Sequence, residues 1–249
     1  MLASLCQAEM TTIGSFIDTW AQGHAEAPAP RKRIRTRETL SIAIATVLAR
    51  RGYHDLRVAE IVELAQVSQA AFYDYFRDRH SAAAEVLTAF LDHLYPTPSI
   101  GSGAADQILT DLFARWLAFC HANAGLVLAV AQLSDRSPDF ARLAERRKRE
   151  WFAAVIESLA RRFPSAAAEM GMVEGSARTL EMVASGLAQQ VARHADKIQP
   201  EDIRTFATLI ARVWGFAFEY TDPPMLRTVA RPRRAIARPA PPSPHASFG

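Results

Sequence analysis

The sequence predicts an all-α protein with an N-terminal three-helix helix-turn-helix domain followed by a larger helical domain. Three observations predict this class. Apolar residues recur at three- and four-residue spacing through most of the 249-residue chain. No stretch alternates apolar and polar residues as strands do, and no Asn-Gly or Asp-Gly hairpin dipeptide occurs. Gly, Ser and Pro cluster between residues 96 and 103, where they separate two helical sets.

The composition limits the cellular compartment in which the protein is expected. Cys6 and Cys120 stand far apart and form no Cys-x-x-Cys pair, so neither a disulfide framework nor a metal site is expected. No apolar run approaches the roughly 20 residues needed to cross a bilayer. Met1 to Leu5 lack the charged start of a signal peptide. We therefore expect a cytoplasmic protein with no membrane partner.

The two ends of the chain differ from its centre. Residues 1–34 are expected to be a partly flexible extension. Apolar residues at helical spacing from Met10 to Trp20 indicate a short helix within it. The alternative is that this segment is largely mobile. Residues 222–249 are rich in Pro and Arg and are expected to be disordered. Between them, residues 35–80, termed the head, are predicted to form the helix-turn-helix domain, and residues 81–221, termed the body, the second domain.

The helices of the head have recognisable ends. The first is predicted to begin at a Thr36 cap and to end at Gly52, a residue suited to a left-handed stop. The second begins near Val58, and the third begins at Ser68. A further helix runs from about Asp78 to Leu94 and ends before Pro96. Apolar periodicity predicts five more helices, near residues 108–120, 126–133, 138–163, 172–194 and 201–220.

The third helix has the features of a helix that reads DNA. Its first turn is Gln69-Ala70-Ala71, in which Gln can pair with an adenine edge and Ala can contact a thymine methyl. Tyr73 and Tyr75 can donate hydroxyls to phosphates, and Arg79 follows at the start of the next helix. Phe72 and Phe76 hold this helix against the rest of the head. An ordinary amphipathic helix pair in an α-bundle is the alternative, and the pattern alone does not decide between them.

Residues 35–94, about a quarter of the chain, resemble the N-terminal DNA-binding domain of TetR-type transcriptional regulators. The matching positions run in the family's order: Arg37-Glu38, Arg51-Gly52-Tyr53, Val58-x-x-Ile61, Ala65-x-Val67-Ser68, Phe72-Tyr73-x-x-Phe76 and Asp78-Arg79. The chain departs from the family at four places: Gln66 replaces the common turn glycine, Ala70-Ala71 replace a Gly-Thr pair, Arg57 replaces a Thr, and Arg79 replaces a Lys.

The resemblance implies a homodimeric regulator that binds a palindromic double-stranded DNA operator. It further implies a repressor that a small, largely apolar effector releases from that operator, with no cofactor and no metal. The residues expected to contact DNA are Arg37, Arg57, Ser68, Gln69, Ala70, Ala71, Tyr73, Tyr75 and Arg79.

The resemblance also implies that the last two helices of each subunit form a four-helix bundle across the dimer. The apolar stripes that fit this role are Val173, Ala177, Leu180, Ala184, Leu187 and Val191, and then Ile203, Phe206, Leu209, Ile210, Val213, Trp214 and Ala217. Packing of these stripes against the subunit's own core is the alternative. The residues expected to line an effector cavity are Phe113, Trp116, Trp151, Phe152, Val155 and Met182, with an ordinary filled core as the alternative.

Other functional classes find less support. The chain has no Gly-x-Ser-x-Gly, no His-Glu-x-x-His and no phosphate-binding glycine loop, so we do not expect an enzyme. The charged run from Arg142 to Glu150 is expected to be a solvated helix face. A helical small-molecule-binding or interaction protein with a weakened DNA-binding head is the remaining alternative, and Gln66 with Ala70-Ala71 are the residues that favour it.

Overall fold

The computed structural model describes residues 15–25, 32–99, 101–163 and 174–219. These residues form ten α-helices and no β-strand, which confirms the predicted fold class. The helices are α1 (Phe16–Ala25), α2 (Lys32–Arg51), α3 (Val58–Ala65), α4 (Gln69–Tyr73), α5 (Arg79–Leu94), α6 (Ala105–Ala122), α7 (Ala124–Arg136), α8 (Pro138–Arg162), α9 (Glu174–Arg193) and α10 (Pro200–Glu219). The predicted tail, residues 222–249, lies outside the described residues.

The first head helix differs from its prediction at one end and agrees at the other. It begins at Lys32 rather than at a Thr36 cap, so the expected domain boundary after residue 34 falls inside α2. Lys and Arg are good helix formers, and the basic run therefore extends the helix instead of forming an arm. At the other end Gly52 adopts a φ of 74°, the left-handed stop that was predicted.

The head packs around the apolar faces of α2, α3 and α4. The largest of their fully buried side chains, together with one from the loop before α3, are Leu40, Ile44, Leu48, Leu56, Ile61 and Phe72. A helix of five residues such as α4 is unstable alone, because nucleation costs more than so few hydrogen bonds return. Burial of Phe72, and of Phe76 just beyond the helix, therefore fixes α4 in place.

The body consists of α5 to α10, with α10 packed along α6, and α9 in contact with α6, α7 and α8. Its buried residues are continuous with those of the head in one apolar cluster. Among the described residues, no single helix is long and apolar enough to cross a membrane. Only α6 and α7 taken together have that length and apolar composition, and the two helices meet at an angle of 83°.

The N-terminal extension contributes a helix, and its anchor is Phe16. The Phe16 side chain is fully buried, with its ring centroid 5.3 Å from that of Phe90 and 4.9 Å from that of His93, both in α5. The backbone N–H of Phe16 donates a 2.8 Å hydrogen bond to Oδ1 of Asn123, a buried side chain between α6 and α7. The structure therefore shows a helix over Phe16–Ala25, while Met10 and Ile13 of the predicted helix lie outside the described residues.

The head also contacts the body through α7. Gly125 lies so close to α2 that a Cβ built on it would stand 1.9 Å from the Ala49 carbonyl oxygen. Seven residues further along α7, Gln132 Oε1 accepts a 2.6 Å hydrogen bond from the backbone N–H of Tyr53. Only glycine permits the first of these contacts, because any side chain would displace the backbone of α2.

Candidate DNA-binding site

The turn between α3 and α4 contains the non-glycine residue that was expected to be in a left-handed conformation. Gln66 has φ 54° and ψ 42°, and among the described residues it alone combines a positive φ with a side chain. Its N–H donates to the Glu63 carbonyl at 3.2 Å, and the Val67 N–H donates to the Val62 carbonyl at 3.0 Å. These bonds satisfy the last carbonyls of α3, so the turn forms without glycine.

Replacing Gln66 by Gly should stabilise the protein by about 0.5 to 1 kcal/mol. A left-handed conformation costs a residue with a Cβ about 1 to 2 kcal/mol, and the greater freedom of glycine in the unfolded chain offsets part of that gain. Urea unfolding followed by circular dichroism measures the change. Glu63→Gly, in the last turn of α3, is the control and should lose about 1 kcal/mol. A loss of stability in Gln66→Gly would contradict the inference that the left-handed conformation of Gln66 is strained.

The first turn of α4 is capped and open to solvent. Ser68 is its N-cap, and the Ser68 hydroxyl oxygen accepts a 3.1 Å hydrogen bond from the Ala71 N–H. The side chains of Ser68, Gln69 and Ala70 are exposed and that of Ala71 is half-buried. The capping bond holds the Ser68 side chain against the helix backbone, so Gln69 is the polar side chain of this turn that can reach out to a base edge.

The aromatic residues of α4 divide into supports and exposed groups. Phe72 and Phe76 are buried with ring centroids 5.5 Å apart. Tyr73 is 53% exposed and stands edge-on to Phe72. Tyr75 is half-buried, with the Arg33 guanidinium 6.0 Å from its ring centroid. Tyr73 is therefore the more accessible phenol, and Tyr75 is covered in part by the start of α2.

The three arginines that were expected to contact DNA have different surroundings. Arg57 is exposed at the N-cap position of α3 and makes no capping bond. Arg79 is exposed as well, but its guanidinium donates a 2.8 Å bond to the Leu56 carbonyl. In Arg37 one guanidinium nitrogen lies 2.7 Å from both carboxylate oxygens of Glu85, and the group stacks over Phe76 at 5.4 Å. Arg37 therefore ties the head to α5, a role that its position in the sequence did not predict.

The start of α5 is held firmly against the head. Asp78 accepts a 2.7 Å bond from the Ser81 N–H, and the Ser81 hydroxyl oxygen accepts from the Asp78 N–H at 3.2 Å, which completes a capping box. The Ser81 backbone donor lowers the pKa of Asp78 from 3.8 to about 2. The Tyr53 hydroxyl and Nδ1 of His80, a residue in the first turn of α5, are 2.9 Å apart. The capping box fixes how α5 begins, and the Tyr53–His80 contact, with the Arg79–Leu56 bond, joins this end of α5 to the segment between α2 and α3.

The residues expected to line an effector cavity mostly form a filled aromatic core. Phe113, Trp116, Trp151, Phe152 and Val155 are all buried, and the Trp116 and Trp151 rings stack with centroids 5.4 Å apart. The expectation for Met182 was wrong, because this side chain is 64% exposed on the outside of α9. Helical periodicity counts an apolar residue as inward, and it cannot distinguish the subunit's own core from an exposed apolar face.

A cavity of about 550 Å³ lies beside this core. Of the residues expected to line an effector cavity, only Trp116 contributes to its wall. The polar and ionisable residues of that wall are Tyr95, Cys120, Ser134, Asp135, Arg142, Glu145, Lys148, Arg149, Ser185 and Gln189. Burial, together with the nearby Cys120, Glu145 and Glu181, raises the pKa of the Tyr95 phenol above its usual range. Lys148 belongs to the charged run that was expected to be solvated, yet its side chain is only 21% exposed.

A smaller cavity of about 280 Å³ also has Trp116 in its wall, together with residues of the loop that follows α5. Trp151 contributes to its wall. The Trp151 Nε1 group is buried and has no hydrogen-bond partner among the described residues. A donor that is buried without a partner is costly, so a polar molecule in this space would relieve it.

The last two helices pack against each other, and the apolar stripes predicted for a dimer divide between two faces. Ala184 and Val191 of α9, and Ile203 and Ile210 of α10, are buried in the subunit's own core. Among the described side chains of α9 and α10, the exposed large apolar ones are Met182, Val183, Leu209 and Val213, at 64, 45, 53 and 50%. These four residues are termed the outer face. Val173, and the side chains of Ala177, Leu180, Trp214 and Ala217, lie outside what the structure describes.

Comparison with known proteins places the head in a family. A family model described as bacterial regulatory proteins, tetR family, matches residues 43–86. YdgC, an uncharacterized HTH-type transcriptional regulator of Bacillus subtilis (strain 168), is 39% identical over 59 residues, which are 24% of this chain and 30% of that protein. The chain therefore matches about a third of the length of this curated relative. The family and this relative are regulators and not enzymes.

Solved structures resemble the fold over most of the chain. The fatty acid degradation regulator FadR from Bacillus halodurans has a TM-score of 0.55 at 14% identity, over 76% of this chain and 96% of its own. A TetR-family transcriptional regulator from Bordetella parapertussis 12822 has a TM-score of 0.52 at 19% identity, over 74% of this chain and 93% of its own. At such identities the likeness concerns the fold alone. The match to the tetR family of bacterial regulatory proteins covers residues 43–86, and the solved structures extend the likeness of fold to the body.

Proposed function

We propose that the chain is a dimeric, sequence-specific DNA-binding transcriptional regulator, and that it acts as a repressor released from a palindromic operator by a small, largely apolar effector. The observation that carries this proposal is the exposed first turn of α4, with Gln69 and Ala70 outward and Phe72 buried behind them. A short helix fixed from behind and open in front is suited to the major groove. We also propose a cytoplasmic location, because the DNA that the chain is proposed to bind would be found there.

The weakened-head alternative depends on Gln66 and on the missing hydroxyl of the Ala70-Ala71 pair. The turn at Gln66 closes with two backbone hydrogen bonds, which supports a competent head. The missing hydroxyl leaves phosphate contacts to Tyr73, Arg57 and Arg79, all of which are exposed. These features favour DNA binding over the alternative.

The route from effector to DNA that we propose uses two helices. Leu91 and Leu94 of α5 and Val127 and Val130 of α7 contribute to the wall of the larger cavity. The same two helices also hold hydrogen bonds with the head. In the first turn of α5 the Arg79 guanidinium donates to the Leu56 carbonyl, and in α7 the Gln132 side chain accepts from the Tyr53 N–H. An effector that shifts these helices would change the spacing of the two recognition helices in the dimer. DNA affinity would fall only as far as the effector prefers the non-binding state.

Selection of bound duplexes from a random DNA pool tests the proposed function. The full chain should enrich a palindromic sequence whose half-sites lie about one helical turn apart, or a multiple of it, because a two-fold dimer presents its recognition helices at that spacing. Enrichment of no sequence would contradict sequence-specific binding. Enrichment of a single, non-palindromic site would contradict the dimeric mode.

Replacing Gln69 by Ala should change the sequence preference at one base pair of each half-site. Loss of a bidentate contact to a base edge costs about 1 to 3 kcal/mol of discrimination at that position. Competition binding with duplexes that vary one base pair at a time measures this profile. Ala122→Gln, which places the same side chain at the exposed end of α6, is the control and should leave the profile unchanged. An unaltered profile in Gln69→Ala would remove its role in reading bases.

Replacing Arg57 by Ala should weaken binding to all duplexes about equally. An arginine that neutralises a phosphate releases counterions, so its removal should lower the slope of log affinity against log salt by about 0.9 per contact. Fluorescence anisotropy at several salt concentrations measures the slope. Tyr73→Phe should weaken binding without changing the slope, because it removes a neutral donor. Arg161→Ala, an exposed arginine of α8, is the control for net charge. An unchanged slope in Arg57→Ala would place this residue outside the interface.

A further inference from the structure

The first two turns of α2 extend past the core of the head, and arginines take the place of apolar residues there. Leu40, Ile44 and Leu48 form the buried inner stripe of this helix. Arg33 and Arg37 stand on the same stripe, because residues that are three and four positions apart share one face of an α-helix. The inner stripe of α2 therefore changes from apolar to cationic where the helix leaves the core.

Of these two arginines, Arg37 has a carboxylate partner and Arg33 has none among the described residues. The Arg37 guanidinium lies 2.7 Å from a carboxylate oxygen of Glu85 on α5. Arg33 is exposed, and its guanidinium lies 6.0 Å from the ring centroid of Tyr75. A contact with a ring face leaves the charge in place, and it leaves the N–H groups at the edge of the guanidinium plane open to an acceptor. Arg33 is therefore a cation with an unbalanced charge beside Tyr75.

Tyr75 places this cation at the recognition end of the head, because it follows the last residue of α4 by two positions. A recognition helix presents its N-terminal residues to base edges, so the residues beyond its other end lie toward the sugar–phosphate backbone. We propose that Arg33 binds a DNA phosphate at the edge of the groove that α4 enters. The inference rests on the proposed function. It adds a contact from a part of α2 that precedes residues 43–86, the span that the family model matches.

The electrostatics of the free protein suit an anionic partner at Arg33. The first turn of α2 has no acidic residue, although the start of a helix is the positive end of its dipole. Arg33 and Arg37 are also four positions apart, where like charges repel on a helix. An anion bound to Arg33 relieves both interactions. A phosphate can accept two parallel hydrogen bonds from one guanidinium, so the DNA backbone fits the chemistry of this side chain.

Replacing Arg33 by Ala tests the contact on the full chain with the selected duplex. We expect about tenfold weaker binding at about 0.15 M salt, because a charge-assisted hydrogen bond is lost. The slope of log affinity against log salt should decrease by about 0.9, since one fewer phosphate is neutralised. Fluorescence anisotropy at several salt concentrations measures both changes.

Arg35→Ala is the matched control for the loss of charge. It removes the same charge from the same turn of α2, but Arg35 is exposed about 200° around the helix from Arg33. Its charge is therefore screened by water and salt on the far side of the helix. We expect the control to bind within about twofold of the parent and to keep the parent's salt slope.

A neutral linkage in the DNA distinguishes a direct contact from an effect transmitted through Tyr75. Duplexes in which one phosphate of each half-site at a time is an uncharged methylphosphonate are titrated with the parent and with Arg33→Ala. At the linkage that Arg33 contacts, the methylphosphonate should weaken the parent about tenfold and leave Arg33→Ala unchanged. At every other linkage the two proteins should lose the same factor. Arg33→Lys, which keeps the charge without the planar fork, should keep the salt slope.

The outcomes separate this inference from the proposed function. If the parent binds the selected duplex and Arg33→Ala binds it equally well with the same salt slope, the inference is overturned and the proposed function stands. Equal losses in Arg33→Ala and Arg35→Ala, or a loss in Arg33→Ala that is the same at every methylphosphonate, would also overturn the inference. No binding by the parent would overturn both. If Arg33→Ala loses helical circular dichroism, Arg33→Gln, which keeps a long polar side chain, makes the same test.

Discussion

Replacing Gly125 by Ala should lower the free energy of unfolding by about 3 kcal/mol, at the upper end of the range for overpacking a core. The three atoms that a Cβ would meet all belong to the backbone of Ala49, with the carbonyl oxygen at 1.9 Å and the carbonyl carbon at 2.7 Å. Backbone atoms in the middle of a helix cannot rotate aside as a side-chain end does. The helices α2 and α7 would therefore have to separate.

The measurement is urea unfolding of the full chain, with thermal unfolding as a second reading. Gly101→Ala is the matched control, because a Cβ at this position meets nothing within 4 Å, and its stability should stay within about 0.5 kcal/mol of the parent. DNA affinity should fall together with stability in Gly125→Ala, since α7 connects the head to the cavity. A Gly125→Ala variant as stable as the control would show that α2 and α7 are not in contact there.

Replacing Leu209 and Val213 by Glu should leave the protein monomeric and reduce its affinity for the selected duplex by about a hundredfold or more, toward the level of non-specific binding. Both side chains are about half exposed on α10, and Met182 and Val183 are exposed on α9, which packs against α10. Large apolar side chains in such a group on a soluble surface mark an interaction face. A C2 dimer would place each outer face against its own copy, so every added charge would meet a like charge.

Size-exclusion chromatography with light scattering measures the oligomeric state, and a gel-shift titration measures DNA affinity. Ala153→Glu adds the same charge to an exposed position of α8 and should remain dimeric. The variants should retain the helical circular dichroism of the parent, because their altered side chains do not enter the core. A dimer in the Leu209→Glu, Val213→Glu variant, or a monomeric parent, would contradict the assignment of the outer face.

The head could be predicted closely because its signals are local. Gly52 at a left-handed stop, Ser68 as a cap and the Phe72 and Phe76 anchors each depend on neighbours within one or two turns of chain. The start of α2 was predicted one turn late, since Thr36 resembles a cap in a segment whose basic residues continue the helix. Local signals compete at such boundaries, and helix propensity prevailed here.

The helices of the body could be predicted from the sequence, but which of their faces are buried and which are exposed could not. Met182 and Val191 belong to the same helix and are both apolar, yet one is exposed and the other is buried. Which face of an apolar helix turns inward depends on helices that are distant in sequence. The same reason hid Lys148 and Ser185, whose place in the cavity wall follows from the packing of α8 and α9, and it hid Phe16, whose partners lie in α5 and α7 or next to them.

The central claim, that this chain is a sequence-specific DNA-binding protein, is tested most directly by its affinity for the selected duplex relative to a shuffled duplex of the same composition. Fluorescence anisotropy at about 0.15 M salt, where surface charges are screened beyond about 8 Å, measures both affinities. We predict that the selected duplex binds at least about a thousandfold more tightly, the lower end of the range for specific regulators. Equal affinities for the two duplexes, or no binding of either, would contradict the claim.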